Sequence, residues 1–218
     1  MKALDNANIS TPNDGLTPIV FPKVKNSSTG GSVEYVPAPN RHWYVLRILY
    51  GRTLQMADLL IENGHYAYVA MVWIVEYHDG KKYKRKVPFL NLLFAYLTAS
   101  EAAEYVKNAN DYRFITYYYN HFITDDKGHN PPLTITDYDM SQIIRATFID
   151  SEHVMAVNPK NIKFKSDDEV IVVDGPFKGV KGRVARIARQ NRVVILIRGL
   201  DMCLITAYIP PYCLRKVD

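Results

Sequence analysis

The sequence predicts an α+β protein, with a sheet-and-helix sandwich of ferredoxin-like order in residues 41–150 and a small β-barrel in residues 166–218. Two observations carry this, and a third concerns how charge is shared between the two parts. Between residues 43 and 122, runs rich in Val, Ile and aromatic residues alternate with two stretches of helical periodicity, in the order β-α-β-β-α-β. Beyond residue 168 the apolar runs are short and β-branched, with turn residues between them about every ten positions. Finally, residues 41–150 carry twelve acids and twelve bases, whereas residues 151–218 carry seven acids and twelve bases, so the net charge of +5 belongs to the last third.

Residues 1–40 hold five of the twelve prolines, a Ser-Ser-Thr-Gly-Gly run and few large apolar side chains. Such a composition buries too little surface to offset ordering entropy and reads as a mostly disordered tail, with an edge strand as an option at 33–36. Residues 43–49 read as the first strand. Residues 52–63 place Leu54, Ala57, Leu60 and Ile61 on one helical face, and Asn63-Gly64 supplies the stop. A long second strand follows over 66–77. His78-Asp79-Gly80 then turns the chain into a basic arm, 81–87. A strand at 92–98 leads to a helix capped by Ser100, with Ala102, Val106 and Ala109 on its face and Glu101 and Glu104 in its first turn. Residues 114–122 form the fourth strand. Thr136-x-x-Asp139 resembles a capping box and opens a helix with Met140, Ile144 and Phe148 on one side. Residues 151–165, with weak periodicity, Asn158-Pro159 and several charges, read as a linker. Strands are then expected at 170–173, 183–188, 193–197 and 202–209.

The composition is that of a soluble globular chain, with 48% hydrophobic and 22% charged residues, and no window long and apolar enough to span a membrane. Residues 1–10 lack the regions of a secretory signal, and Cys203 and Cys213 form no CxxC pair, so a reducing, cytoplasmic setting is expected. Reaction chemistry finds no support. The six histidines form no HxxxH or HExxH pair and none has a nearby cysteine, no GxSxG elbow occurs, and Asp125, Asp126, Asp137 and Asp139 read as loop or capping acids. No cofactor, metal or catalytic group is expected, and the chain is expected to be a monomer.

Gly175-Pro-Phe-Lys-Gly-Val-Lys-Gly lacks the GxGxxG order, the GK[ST] ending and the following helix of a phosphate loop. It fits instead a tight turn between two strands, where Gly179 and Gly182 allow positive φ or close backbone approach. Phe177 would cover one end of the barrel, with Lys178, Lys181 and Arg183 beside it. From Pro176 to Arg198 the chain has seven bases, including Arg186, Arg189 and Arg192, and no acid. That field suits a polyanion or an acidic protein surface, or simply a solvated face.

Residues 168–197, DEVIVVDGPFKGVKGRVARIARQNRVVILI, closely resemble the KOW motif, and Thr206-Ala207-Tyr208-Ile209-Pro210 is similar to its closing strand. Trp43-Tyr44-Val45 resembles the opening strand of the N-terminal domain of the NusG family, and residues 87–94 resemble its central strand. The order of the two motifs identifies residues 41–218 with the NusG family of transcription elongation and antitermination factors. That resemblance implies an NGN-type domain followed by an SH3-like KOW barrel. It also implies an apolar depression on the first sheet, lined by Phe89, Leu92 and Phe94 with Trp43 and Tyr44 nearby, that receives the clamp helices of bacterial RNA polymerase. The KOW unit would recruit a ribosomal protein, a termination factor or RNA. Where many members have Pro-Asn/Gly-Tyr, this chain has Leu90-Asn91-Leu92. The run Asn91-Leu92-Leu93-Phe94, Met140, the basic C-terminal unit and the tail look most like the specialised UpxY-type paralogues, which implies antitermination of particular long operons such as those for surface polysaccharides.

Two further readings stay open on the residues. Lys81, Lys82, Lys84, Arg85 and Lys86 form either a solvated hairpin tip or a set of contacts to DNA phosphates. An RNA- or ribosome-binding module acting without polymerase would use Arg186, Arg189 and Arg192 together with Tyr117, Tyr118 and Tyr119.

Overall fold

A computed structural model describes residues 21–107, 113–148, 154–158, 160, 162–187, 189–200 and 202–217, with the side chains of Ser166 and Asp167 left aside. The protein is mixed α+β, and every pairing between the described strands is antiparallel.

The expected tail divides. Residues 1–20 lie outside the described residues, while 21–40 pack against the body. A small hairpin of β1 (Val24–Lys25) and β2 (Ser32–Val33) lies beside the first helix, where the Asn26 amide donates to the Asp58 carbonyl at 2.8 Å. Phe21 and Tyr35 join Trp43, Tyr66 and Tyr96 in one aromatic cluster with ring centroids 4.1–6.3 Å apart. Two aromatic anchors are enough to hold a segment whose overall composition is tail-like.

The first sheet contains β3 (His42–Ile48), β4 (Tyr66–Tyr68), β7 (Leu92–Leu97) and β8 (Ile115–Tyr117) in the order β4-β7-β3-β8, with β9 (Thr134–Ile135) also on β3. α1 (Thr53–Glu62) follows β3 and packs on β4 and β7, and α2 (Ala99–Lys107) follows β7 and packs on β7 and β8. The expected long second strand breaks after Tyr68. β5 (Met71–His78) leaves the sheet and pairs only with β6 (Lys81–Pro88), in a separate ribbon closed by Asp79 and Gly80 at φ 49° and 71°. Two consecutive left-handed residues make the turn whose twist matches the strands. The fourth strand is likewise short, 115–117 in place of 114–122, and beyond it the chain continues through a bridge from Tyr119 to Pro132.

Helix ends follow their local chemistry. After α1, the His65 N–H donates to Leu60 (2.9 Å) and the Gly64 N–H to Ile61 (3.0 Å), with Gly64 at φ 80°, which is a Schellman stop. The buried side of α1 is Thr53, Met56, Ala57, Leu60 and Ile61. Leu54, expected inside, is 51% exposed, because the face through 57, 60 and 61 extends back to 53 and 56. α2 is capped by Thr98 and not by Ser100. The Glu101 N–H donates to Thr98 Oγ1 (3.3 Å) while the Thr98 N–H donates to Glu101 Oε2 (2.8 Å), a reciprocal box two residues earlier than expected. Ala102 is buried there and Val106 half-buried; Ala109 lies outside the described residues.

α3 (Asp137–Thr147) opens as expected on Thr136, whose Oγ1 accepts from the Asp139 N–H at 3.1 Å. Its buried set extends beyond one stripe, to Met140, Ser141, Gln142, Ile143, Ile144, Ala146 and Thr147, whereas Phe148 is 65% exposed. A helix covered on two sides loses the amphipathic pattern.

The second sheet has six strands in the order β10-β14-β13-β12-β11-β15. They are β10 (Met155–Val157), β11 (Phe164–Val172), β12 (Lys181–Ile187), β13 (Gln190–Leu196), β14 (Cys203–Tyr208) and β15 (Leu214–Lys216). It is an open sheet among the described residues, not the closed barrel expected, because β10 occupies the edge of β14 and β15 the edge of β11. β10 comes from the segment read as linker. One hydrophobic cluster runs from Trp43 and Leu60 through Met140 and Ile143 to Val180 and Leu204, so the two sheets share a core.

Candidate functional site

Two surfaces were expected to carry binding, an apolar hollow on the first sheet and a glycine loop with a basic hairpin on the second. The first is filled. Trp43 is 1% exposed, Tyr44 8%, and Phe89, Leu92 and Phe94 are each 0% exposed. The register explains the closure. Trp43 pairs with Tyr96, and Tyr96 with Tyr66. Val45 pairs with Phe94, and Phe94 with Tyr68, so these side chains share one face. α3 spans that face. Trp43 Nε1 donates to Asp137 Oδ1 at 2.8 Å at one end of the helix, and the Tyr68 and Thr147 hydroxyls share a 2.9 Å hydrogen bond at the other. Burial pushes the Tyr68 hydroxyl up to about 12 despite that bond. Phe21 and Tyr35 stack over Trp43, and Tyr35 also donates to Asp137 at 2.6 Å. Of this face, Arg47 at the end of β3, paired with Leu92, remains exposed. Tyr44 lies on the opposite face, near Tyr117.

Residues 88–92 enter β7 through a single 3-10 turn in which Leu90 and Asn91 both have positive φ, 54° and 55°. The Phe89 N–H donates to the Ala70 carbonyl at 2.7 Å, which draws the ribbon's base onto the sheet and buries the Phe89 ring.

The glycine loop between β11 and β12 is a compact turn. Gly179 donates to Val172 (2.7 Å), Lys178 to Gly175 (3.1 Å) and Val180 to Phe177 (3.0 Å). Gly175 and Gly179 adopt φ 83° and 87°, whereas Gly182 answers to space, since a Cβ there would lie 2.2 Å from the Val194 carbonyl oxygen. Phe177 is buried at 4% exposure. The bases differ among themselves. Lys178, Arg186 and Arg189 are exposed, while Lys181 and Arg183 are half-buried against the rings of Tyr138 (5.8 Å) and Phe164 (5.6 Å). Arg192 is 9% exposed, and burial lowers its guanidinium from the ordinary value. It donates to the Thr206 carbonyl and to Gln190 Oε1, each at 3.3 Å. Arg192 is therefore a structural residue and not part of a basic recognition surface.

The loop also faces α3. The Lys181 N–H donates to Gln142 Oε1 at 2.8 Å, Arg145 Nη1 donates to the Lys178 carbonyl at 3.3 Å, and Arg198 lies 3.9 Å from Asp139. A cleft of about 300 Å³ between the two units is lined by Tyr138, Gln142, Glu169, Arg183 and their neighbours, with bases and acids mixed. None of this docking was legible in the sequence.

Lys81, Lys82, Lys84, Arg85 and Lys86 are all exposed on β6. Arg85 is committed to Glu76 by hydrogen bonds of 2.8 and 2.7 Å, and that pair lowers the Glu76 carboxyl from its ordinary value. Tyr117 and Tyr118 are half-buried, and Tyr119 is 39% exposed. Cys203 and Cys213 are buried free thiols. Burial pushes Cys203 up to about 11. Among the described residues no group of three or more His, Cys, Asp or Glu side chains converges, and no helix is long and apolar enough to cross a membrane. Comparison with known protein families and with curated proteins finds no match for this chain.

Proposed function

We propose that the chain is a non-enzymatic transcription elongation or antitermination factor of the NusG type, acting on bacterial RNA polymerase through its first unit and recruiting a ribosomal protein, another factor or RNA through its second. The observation that supports this reading is a conjunction. The first sheet has the strand order second-third-first-fourth, with helices after the first and third strands, as an NGN-type ferredoxin-like domain requires. The same chain then continues into an antiparallel sheet whose β11–β12 turn carries Gly175-Pro-Phe-Lys-Gly-Val-Lys-Gly, with Gly175 and Gly179 at positive φ. On this reading the six-stranded sheet is an SH3-like unit with two added edge strands, and the operon-specific role resembles that of the UpxY-type paralogues.

Burial changes which residues would meet polymerase. Phe89, Leu92 and Phe94 shape the platform from within, and Arg47, the exposed member of the same face, lies on its rim. Substituting Phe94 would report on folding; Arg47→Glu reports on contact. The test is retention of purified core RNA polymerase by the immobilised full-length chain. Retention that Arg47→Glu weakens supports the proposal, and a wild-type chain that retains no polymerase overturns it.

A further inference from the structure

Residues 35–38 lie on the first unit as a bound peptide lies on its receptor. They have no regular secondary structure, and within 34–40 only Tyr35 and Ala38 are half-buried. The Tyr35 ring sits among three others, stacked on Trp43 (5.4 Å), tilted against Tyr96 (4.8 Å) and edge-on to Tyr66 (5.7 Å). Its hydroxyl donates to Asp137 Oδ1 at 2.6 Å. Three residues on, the Ala38 N–H donates to the Tyr96 hydroxyl at 2.9 Å, and that hydroxyl donates to the Ala38 carbonyl at 3.1 Å. Pro37 and Pro39 flank Ala38 and bias the segment toward an extended form before it docks.

The two sides of this contact differ in how they are built. Between residues 21 and 40 only Val24 and Asn26 are buried, and both belong to the hairpin on α1. The receptor side is part of the body. Trp43, Tyr96 and Tyr66 are cross-strand neighbours on β3, β7 and β4, with exposures of 1%, 6% and 3%, and Asp137 opens α3. A groove of about 460 Å³ runs beside the segment, lined by Pro37, Pro39, Trp43, Tyr96, Ile135 and Asp137.

We infer that this aromatic groove is a docking site for an extended Tyr-x-Pro segment of a partner protein, and that residues 35–38 occupy it in cis until such a segment displaces them. The groove reads a phenolic hydroxyl through Asp137 and the N–H and C=O of one residue through Tyr96. A helix interior keeps those backbone groups for itself, so an extended peptide fits and a helix does not. The Asp137 carboxylate disfavours a polyanion. A second copy of this chain carries the same segment, but already held in cis, so exchange between copies gains no new contact. The inference does not rest on contact with polymerase.

The experiment is fluorescence anisotropy of a labelled peptide of residues 32–40 with the full-length chain. A tethered competitor acts at an effective concentration of about 1 mM, so the wild type should bind this peptide at least about tenfold more weakly than Phe21→Ala combined with Tyr35→Ala, which opens the groove. A peptide carrying Tyr35→Phe lacks the hydroxyl for Asp137 and should bind the opened chain about tenfold more weakly. One carrying Tyr35→Ala should bind about a hundredfold more weakly. Because the opened chain uncovers Trp43 and is the variant at risk of misfolding, amide exchange of the wild type gives a second reading. Excess unlabelled peptide should speed exchange at the Ala38 N–H and leave the Asn26 N–H, which donates to Gly31 in the hairpin on α1, unchanged. The inference is overturned if the folded opened chain binds no peptide or binds it no better than the wild type. It is equally overturned if the Tyr35→Ala peptide matches its parent, or if excess peptide leaves Ala38 exchange unaltered. Wild-type dimers that the free peptide dissolves would assign the groove to a second copy and also overturn it. Neither reading involves polymerase, so failure here is distinct from failure of the proposed function.

Discussion

Gly175 and Gly179 of the β11–β12 loop and Gly182 at the start of β12 should respond to alanine in different ways, because the structure gives each a different reason to be glycine. A Cβ on Gly182 would meet the Val194 carbonyl oxygen at 2.2 Å and Val193 Cγ1 at 3.0 Å. The first contact is roughly 1 Å too short for ordinary packing, and its partner is backbone in the neighbouring strand. Relief requires β12 and β13 to separate next to the Arg183–Val194 pair. Overpacking of this kind costs about 1–3 kcal/mol, and a weakened ladder bond adds about 1 kcal/mol, so Gly182→Ala should lose about 3 kcal/mol. Gly175 has open space around its missing Cβ and is constrained only by φ 83°, for which alanine costs about 1 kcal/mol. At Gly179 the same conformational cost of about 1 kcal/mol applies, and the obstructing atom is Arg145 Nη1, the end of a flexible side chain that can move aside. Urea denaturation followed by circular dichroism on the full-length chain would measure all three. If Gly182→Ala lost less than about 1 kcal/mol, or Gly175→Ala lost as much as Gly182→Ala, the distinction between close approach and backbone conformation at this loop would be refuted.

Asp137→Ala removes the acceptor of both Trp43 Nε1 and the Tyr35 hydroxyl, and leaving the buried indole N–H unpaired should cost about 1–3 kcal/mol, read as a lowered urea midpoint with a changed near-ultraviolet signal. Gln142→Ala takes away the acceptor of the Lys181 N–H; we expect faster cleavage between the two units in limited proteolysis, with each sheet still folded. Acid should destabilise through two neighbours. Burial lowers His65 from 6.5, and Glu101 is lowered from 4.5, where burial opposes the shift but the Thr98 hydrogen bonds and the charges of Arg41 and His65 outweigh it. The unfolded chain binds the extra proton first in both cases, so the stabilisation is present above pH 6.5 and 4.5 respectively and is lost as pH falls below each value. Glu101→Gln should flatten the lower part of a stability–pH curve; an unchanged curve would contradict the assignment.

The parts of this fold that were legible in the sequence are those decided within a few residues. Asn63-Gly64 ends α1 because Gly64 reaches positive φ without penalty, Thr136 caps α3 through its own hydroxyl, and Asp79-Gly80 closes a hairpin by the same local rule. The glycine loop belongs with them, since its hydrogen bonds span few residues. Errors arose where the outcome depends on what docks from elsewhere. The stretch from Tyr66 to Tyr77 is rich in Val and aromatic residues throughout, and the backbone pairing of Phe89 with Ala70 marks where it leaves the sheet. Phe94 and Leu92 fit an exposed hollow as well as a core until α3 is placed over their face. Phe21 and Tyr35 lie amid prolines and small residues, and their partners Tyr66 and Tyr96 are distant in the chain. Arg192 belongs by sequence to a run of bases, but its side chain turns toward Thr206, a choice set by the pairing of β13 with β14.

β10 has a practical consequence for dissecting the molecule. Its pairs, Met155 with Ile205 and Val157 with Cys203, make residues ahead of position 165 an integral border of the second sheet, and Val154 is 1% exposed beneath the base of the ribbon. A fragment begun at residue 166 would strip that border. The donors and acceptors of β14 would then lie bare, Cys203 Sγ would lose the Val157 carbonyl to which it donates at 3.1 Å, and the uncovered margin would recruit strands from neighbouring molecules. Turbid or oligomeric preparations of such a fragment would reflect where it was cut and say nothing about how the intact chain associates.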